Sequence, residues 1–576
     1  MKRLISLLLA LTMALALLPA ASAESTHRIE CRRYPIYICN MDDVAEDMPF
    51  YFMDGADDML WVELEMWCDV MNRVNHSYLQ DEAYDLQYSV EGSNVRLDRE
   101  NGYFMEVEFN TDTIRFNDYN GFLHSSRDTA LLDMLSDTGF DETGEAALFQ
   151  RNSQSSYDRY GDFVELKLSD YNIHLIFEDG KGYVPLQTMG DFLLPLSTSL
   201  CTYFNGKAVM LANEDCFYDG NAGQLTPLGE FFYSAEPATR STALASYGYN
   251  ELCLVLDKLY GLKEKHQIDS FQQLFWQIGF DEDLTSPDPE VADTALFNFI
   301  DMFLDDLHTE FGLYSWMTGA KDIAPAFGPS DKRFQAQLNR YRELRTKLQG
   351  EDYYSYQEIG NTAYITFDKF VSDYYSSTYY AAETLEDIPM NTIGLMIYAH
   401  AQIYRKDSPI ENVVFDLSLN TGGSVDAALY VMSFVLGDAE LSVYDRFTGA
   451  QSTMVYRADL NLDREFDWRD TLDDMNVFCL ISPVSFSCGN LVPAAFKASQ
   501  LVTLIGRTSG GGTCTVNGMS TAWGTTFTMS SPLSMSFRKN GSFYDIDQGL
   551  EPDVYLSKLS NFYDREKLTQ LINDLN

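Results

Sequence analysis

From about residue 354 to the C-terminus, short apolar runs alternate with stretches of helix length, which restricts this part of the chain to an α/β domain with a largely parallel sheet. Thr362 to Phe367 reads as a strand and Ile393 to Tyr404 as a helix. Asn412 to Leu417 is a buried strand that runs into Asn420-Thr-Gly-Gly423, followed by a helix over Asp426 to Leu436. Val477 to Ile481 is another strand, leading through Ser485-Phe-Ser-Cys-Gly489 into a helix over Asn490 to Ala498, with Leu501 to Ile505 as the next strand. In such sheets, sites form where strands end and helices begin, and both glycine-containing turns lie at such ends.

Upstream the periodicity differs. Leu296, Ile300, Phe303 and Leu307 fall on one face of a helix expected over Val291 to His308, with Asp288 as its N-cap and Pro289 at its first position. Asn250 to Asp257 and Phe271 to Ile278 read as further helices. Residues 28–220 are instead rich in short strands. Tyr171 to Phe177 alternates and meets a hairpin signal at Glu178-Asp-Gly-Lys-Gly182, and Tyr203 to Met210 holds another strand pair. The first residues have the form of a signal peptide, with Met1-Lys2-Arg3, an apolar run from Leu4 to Leu18, and Ala21-Ser22-Ala23 at the cleavage site. The expected division is therefore a signal peptide over 1–23, a mixed α+β region over 28–220, a helical subdomain over 240–345 that carries His308, and an α/β core over 354–576. A fragment starting near residue 225 is expected to fold alone, and the mature protein is expected to be secreted.

Charge and rare residues exclude several classes of function. The 86 acidic and 40 basic side chains give a net charge of −46, which repels nucleic acid and anionic lipid. After the leader, no segment approaches 18 uninterrupted apolar residues, so no stable membrane insertion is expected. The nine cysteines include no CxxC pair, and the seven histidines no HExxH, so no metal site is expected. An odd cysteine count leaves at least one thiol unpaired within a monomer; Cys201 and Cys216 flank a hairpin-like stretch and are candidates to pair.

Singly, the chemical motifs are weak: a Gly-Gly usually marks a tight turn, a serine opening a helix its N-cap, and a histidine near a helix end a packed residue. Their order is more specific. Asp306-x-His308, Asp416-Leu-x-x-Asn-x-Gly-Gly423, Ser487-Cys-Gly-Asn490, Gly506-x-Thr-x-Gly-Gly-Gly512 and Gly549-Leu-Glu-Pro-Asp553 follow one another along the chain. This series resembles the tail-specific (C-terminal processing) serine peptidase family, which includes the tricorn core. The N-terminal region more weakly resembles the small N-terminal domain of copper amine oxidases, which implies a surface module and not copper.

The peptidase resemblance implies a crotonase-like α/β core that hydrolyses peptide bonds through an acyl-enzyme on Ser487, with peptide or protein substrates and no cofactor. It assigns the oxyanion N–H groups to Cys488 and to Gly422 or Gly423. Many members carry a lysine base where this chain has Gly511. Lys497 lies along the helix from Ser487, and at about 1.5 Å per residue it stands roughly 15 Å away, too far to take a proton. The lysine-less, tricorn-like branch uses a histidine from the helical subdomain, which places the general base at His308. Asp547 is the acid nearest the orienting position, with Asp306 and Glu310 as alternatives. An inactive, peptide-binding descendant is the main competing reading. A lipase or esterase is disfavoured because no GxSxG elbow is present.

Overall fold

Four successive parallel pairings build the sheet that carries the two glycine turns. The computed structural model describes residues 27–575 except 43, 77–84, 101, 124–131, 133, 136–146, 153–154, 221–223, 321–327 and 351–354. The leader expected over residues 1–23 lies outside the described residues. The sheet has the order Tyr356–Ile359, Thr362–Thr366, Asn412–Asp416, Asn476–Ile481, Val502–Gly506 and Val554–Tyr555. Its first pair is antiparallel and the rest are parallel.

Strands Thr362–Thr366 and Asn412–Asp416 are buried at every position, as a sheet covered on both faces requires. Val413 and Phe415 join the apolar cluster under helices Thr392–Ile403, Val425–Leu436 and Cys488–Ser499. Val414 faces the opposite way, into a cluster with Leu338 and Tyr341 of helix Pro329–Gln349 and with Leu568 and Ile572 of helix Arg565–Leu575. Asp416 ends its strand in a buried ion pair with Arg565 at 2.7 Å. The core elements thus match the sequence expectation to within a residue or two at each end.

A second sheet, antiparallel throughout, has the order Cys514–Ser520, Thr526–Ser536, Ala439–Asp445, Gln451–Ala458 and Phe149–Arg151. Ser156–Arg159 also pairs with Gln451–Ala458. Phe149–Arg151 and Ser156–Arg159 therefore complete a sheet of the C-terminal half, and the division drawn near residue 220 does not coincide with a break between folded units. Most of the remaining N-terminal strands form a seven-stranded and a five-stranded sheet, and Tyr218–Asp219 pairs with Gln224–Leu225.

Two further elements differ from the sequence reading. The alternation over Tyr171 to Phe177 becomes a 3-10 turn over Leu168–Tyr171 and a strand only at Ile176–Glu178. Asn172 is left-handed, with φ 54°, and the Asp112 carboxylate accepts the Leu175 N–H at 2.7 Å, so side-chain bonding replaces a ladder there. The helix expected to reach His308 begins as anticipated, with the Asp288 carboxylate accepting the Glu290 N–H at 3.0 Å and Pro289 at the first position. It widens into a π-helical turn over Asn298–Leu304 and stops at Asp305, which is left-handed with φ 50°. His308 lies in the turn beyond.

Two predictions follow from this packing. A chain starting at residue 225 keeps Ala439–Asp445 but lacks both N-terminal partners of Gln451–Ala458 and leaves its other edge unpaired, so the fragment is expected to self-associate in size-exclusion chromatography. A monomeric fragment with a single cooperative melt would refute this. The second concerns Glu251 and Asp191, each 2% exposed where helix Thr242–Leu259 meets helix Leu186–Leu193. Burial raises the pKa of both carboxyls, and the charge of Glu251 adds to the rise at Asp191. The folded state therefore holds protons that the unfolded chain releases, so this contribution is complete below the ordinary carboxylate range and is lost as pH rises through the elevated folded values. Tm is expected to fall between pH 5 and pH 8, and Glu251→Gln to flatten part of that slope; an unchanged slope would count against the pair.

Candidate active site

Ser487 occupies the junction between the strand Asn476–Ile481 and the helix Cys488–Ser499, in a conformation few side chains tolerate. Its backbone stands at φ 56°, ψ −125°, and its hydroxyl makes no capping bond to the helix it precedes. Strain of this kind persists only where the surroundings enforce it. Here the Ser487 N–H donates to Gly511 O at 2.9 Å, the Phe486 N–H to Asn420 O at 3.1 Å, and the Gly510 N–H to Ser485 O at 2.8 Å. The ordinary role of a helix-opening serine is thus not the one its hydroxyl plays.

The Asn420–Gly423 turn packs directly onto this junction. The buried Asn420 side chain accepts the Gly422 N–H at 2.9 Å and donates to Phe367 O at 3.1 Å. Gly422 has φ 102°, and a Cβ there would stand 2.7 Å from Ser487 Cβ; at Gly423, φ 130°, a Cβ would stand 2.2 Å from Phe370 O. Only a chain without side chains passes through. Phe370 zips onto the turn, donating its N–H to Gly422 O and accepting the Ser424 N–H, each at 2.9 Å. Of the two glycines proposed as oxyanion donors, Gly422 thus has its N–H engaged by Asn420. Among the described residues no hydrogen bond takes the N–H of Gly423 or of Cys488. The Cys488 thiol donates to Gly423 O at 3.1 Å, and burial pushes its pKa up to about 12, which leaves it inert as a nucleophile.

His308 is brought to the same place from the helical subdomain. Ser487, Gly423 and His308 line one cleft of about 340 Å³, whose walls include Glu310, Asp331 and Phe334. The imidazole packs against the Phe486 ring with centroids 4.6 Å apart. Burial lowers the His308 pKa, against an opposing pull from the Asp306 and Asp547 charges, so the ring is neutral at pH 7. Asp306 holds its loop: one carboxylate oxygen accepts the His308 N–H at 3.2 Å, and the other accepts hydroxyls from Thr309 at 2.6 Å and Ser530 at 2.7 Å. Among the described residues no hydrogen bond joins His308 to Ser487.

Asp547 faces a second cleft, of about 470 Å³, that shares His308 and Phe486 with the first and also includes Lys265 and His266. Its carboxylate pairs with Lys265 and accepts the Thr513 N–H at 3.3 Å, with no hydrogen bond to His308 among the described residues. Lys265 was not anticipated, since nothing local marks a lysine so distant in sequence as a partner of Asp547. The absence of a lysine at residue 511 has a steric reason: Gly511 has φ 84°, and a Cβ there would stand 2.0 Å from Asp547 O. Lys497 is engaged elsewhere, 3.2 Å from Asp553. The His400 Nε2–H donates to Arg469 O at 2.8 Å, far along the core helix, and His400 is a packed residue. Among the described residues no group of side chains is suited to hold a metal ion.

Asn420→Ala is expected to leave the buried Gly422 N–H unpaired and to cost about 1–3 kcal/mol in chemical denaturation. A stability within error of the wild-type chain would remove Asn420 from this role.

No curated protein matches the chain at the sequence level. Among solved structures, a photosystem II D1 C-terminal processing protease is 17% identical over 34% of this chain and 42% of its own length, with a TM-score of 0.26. The chain therefore spans less than half of that protein. A lipoprotein from Streptococcus agalactiae is 13% identical over 57% of this chain and 96% of its own, with a TM-score of 0.35. The tricorn protease is 14% identical over 44% of this chain and 20% of its own, with a TM-score of 0.22. The sequence profile of Peptidase family S41 matches residues 361–556, so the segment that supplies the glycine turn, Ser487, Cys488 and Asp547 is similar to that family.

Proposed function

We propose that the chain is a secreted serine peptidase of the lysine-less, tricorn-like kind, with Ser487 as nucleophile and His308 as general base. The observation that carries the reading is the shared cleft, in which a strained serine with an uncapped hydroxyl and a neutral imidazole face the same space. In this mechanism His308 takes the Ser487 hydroxyl proton as the oxygen attacks the peptide carbonyl. The N–H groups of Gly423 and Cys488 receive the developing oxyanion, Cys488 at the start of a helix where negative charge is favoured. His308 then protonates the leaving amine, and water releases the acyl group by the same route in reverse. The hydrogen bond between Ser487 and His308 forms when substrate closes the cleft, as catalytic bonds often tighten only in the complex. Asp547 acts on His308 through charge, since its direct bonds go to Lys265 and Thr513.

Secretion rests on the form of residues 1–23, and N-terminal sequencing of the exported protein checks it. A peptide-binding, inactive descendant is favoured by one specific observation, the Phe486 ring lying against His308 where the base must move. Labelling with a fluorophosphonate probe separates the readings, since only an activated Ser487 reacts.

Ser487→Ala is expected to abolish both labelling and peptide cleavage while leaving the melting temperature nearly unchanged. His308→Ala should lose several orders of magnitude in kcat. Because burial lowers the His308 pKa, the imidazole stays neutral to a lower pH than free histidine, so kcat/KM should decline only below the ordinary value of about 6.5. Near-normal turnover in His308→Ala, or a rate that falls already between pH 8 and pH 7, would exclude this base.

A further inference from the structure

The first strand of the chain ends beside the last strands of the N-terminal sheet. Ile29–Ile38 runs parallel to Val209–Ala212, with Ile38 opposite Leu211. The next residue, Cys39, donates its N–H to Leu211 O at 3.0 Å and turns with φ 60°. Just past the partner strand Asn213 caps the short helix Glu214–Phe217, its carboxamide oxygen accepting the Cys216 N–H at 3.1 Å. The Cys216 thiol also donates to that oxygen at 3.1 Å, and the Cys39 and Cys216 side chains hydrogen-bond to each other. Both residues are partly exposed, and no disulfide joins the nine cysteines.

We propose that Cys39 and Cys216 are the site of a disulfide that fastens the first strand of the seven-stranded sheet to the turn following its last one. The backbone bond from Cys39 to Leu211, the following cap at Asn213 and the contact between the two thiols bring the side chains together within reach of solvent, the arrangement a disulfide needs. The hydrogen bond from Cys39 lowers the Cys216 thiol to about 7, so Cys216 is the nucleophile of the pair. The oxidant is a small-molecule disulfide. The Cys216 thiolate attacks one of its sulfurs and expels the first thiolate. Cys39, giving up its proton, then attacks Cys216 Sγ and expels the second, so two thiols of the protein are oxidised and one external disulfide is reduced to two thiols.

Cys201 is the competing partner, since it lies near enough for charge on Cys216 to raise its pKa. It is 1% exposed, and burial raises its thiol far above the ordinary value, so it presents neither access nor thiolate. Cys31 is exposed but sits at the far end of the same strand.

The test uses the full chain and glutathione disulfide, followed by alkylation and proteolysis without reductant. A peptide joining Cys39 to Cys216, two hydrogens lighter than its parts and released by dithiothreitol, is the expected product. In Cys39→Ser, Cys216 should instead retain one glutathione, because no second thiol resolves the mixed disulfide. Alkylation of both residues in the wild-type chain, a Cys201–Cys216 link, or glutathione persisting on wild-type Cys216 would each overturn the proposal. These readouts are independent of peptidase activity.

Discussion

The structure of the C-terminal half turns on one interlock, in which the Asn420 side chain and backbone hold two strand ends against each other. Its carboxamide shapes the glycine turn, and its carbonyl anchors Phe486. The two turns then lie so close that neither Gly422 nor Gly489 has room for a Cβ, the latter because it would stand 2.3 Å from Asn420 O. Parallel neighbours in a sheet bring their carboxyl ends to one side, and the interlock converts that general feature into a defined geometry. The strain at Ser487 is held by it, and so is the placement of the Gly423 and Cys488 N–H groups, which no hydrogen bond takes among the described residues.

From the other side the helix Cys488–Ser499 is fixed with equal care. Asn490 donates to Ile546 O at 3.0 Å and accepts the Ser509 hydroxyl at 2.6 Å, while Ser509 Oγ accepts the Leu550 N–H at 2.7 Å. These bonds tie the serine-bearing helix to the segment that carries Asp547. The Asp416–Arg565 pair ties the same end of the glycine-turn strand to the helix Arg565–Leu575; removing either partner would strand a buried charge.

What was legible in the sequence was local. The core strands and helices, the cap at Asp288 and Pro289, and the glycine turns follow from periodicity and from residues within a few positions of one another. The serine was legible as a motif but not as a strained, uncapped residue, because its φ is imposed by Gly511 and Asn420. His308 was placed on a helix that Asp305 ends early; an aspartate at that point carries no signal strong enough to override four apolar residues in register. The pairing of Lys265 with Asp547, the zipping of Phe370 along the glycine turn, and the addition of Phe149–Arg151 and Ser156–Arg159 to the second sheet all join segments remote in sequence. No local pattern encodes such partners.

That last pairing also bears on how the chain reaches its structure. Ser155 donates to Val455 O across a separation of 300 residues, so the edge of Gln451–Ala458 cannot be covered until both halves of the chain have been made and brought together. Loop closure over that span comes before any reward from the ladder, which slows the step relative to the local helices. The second sheet is therefore among the last parts to be completed. Until then one edge of Gln451–Ala458 is open to any other extended segment nearby, the kind of exposed edge through which incompletely folded chains associate.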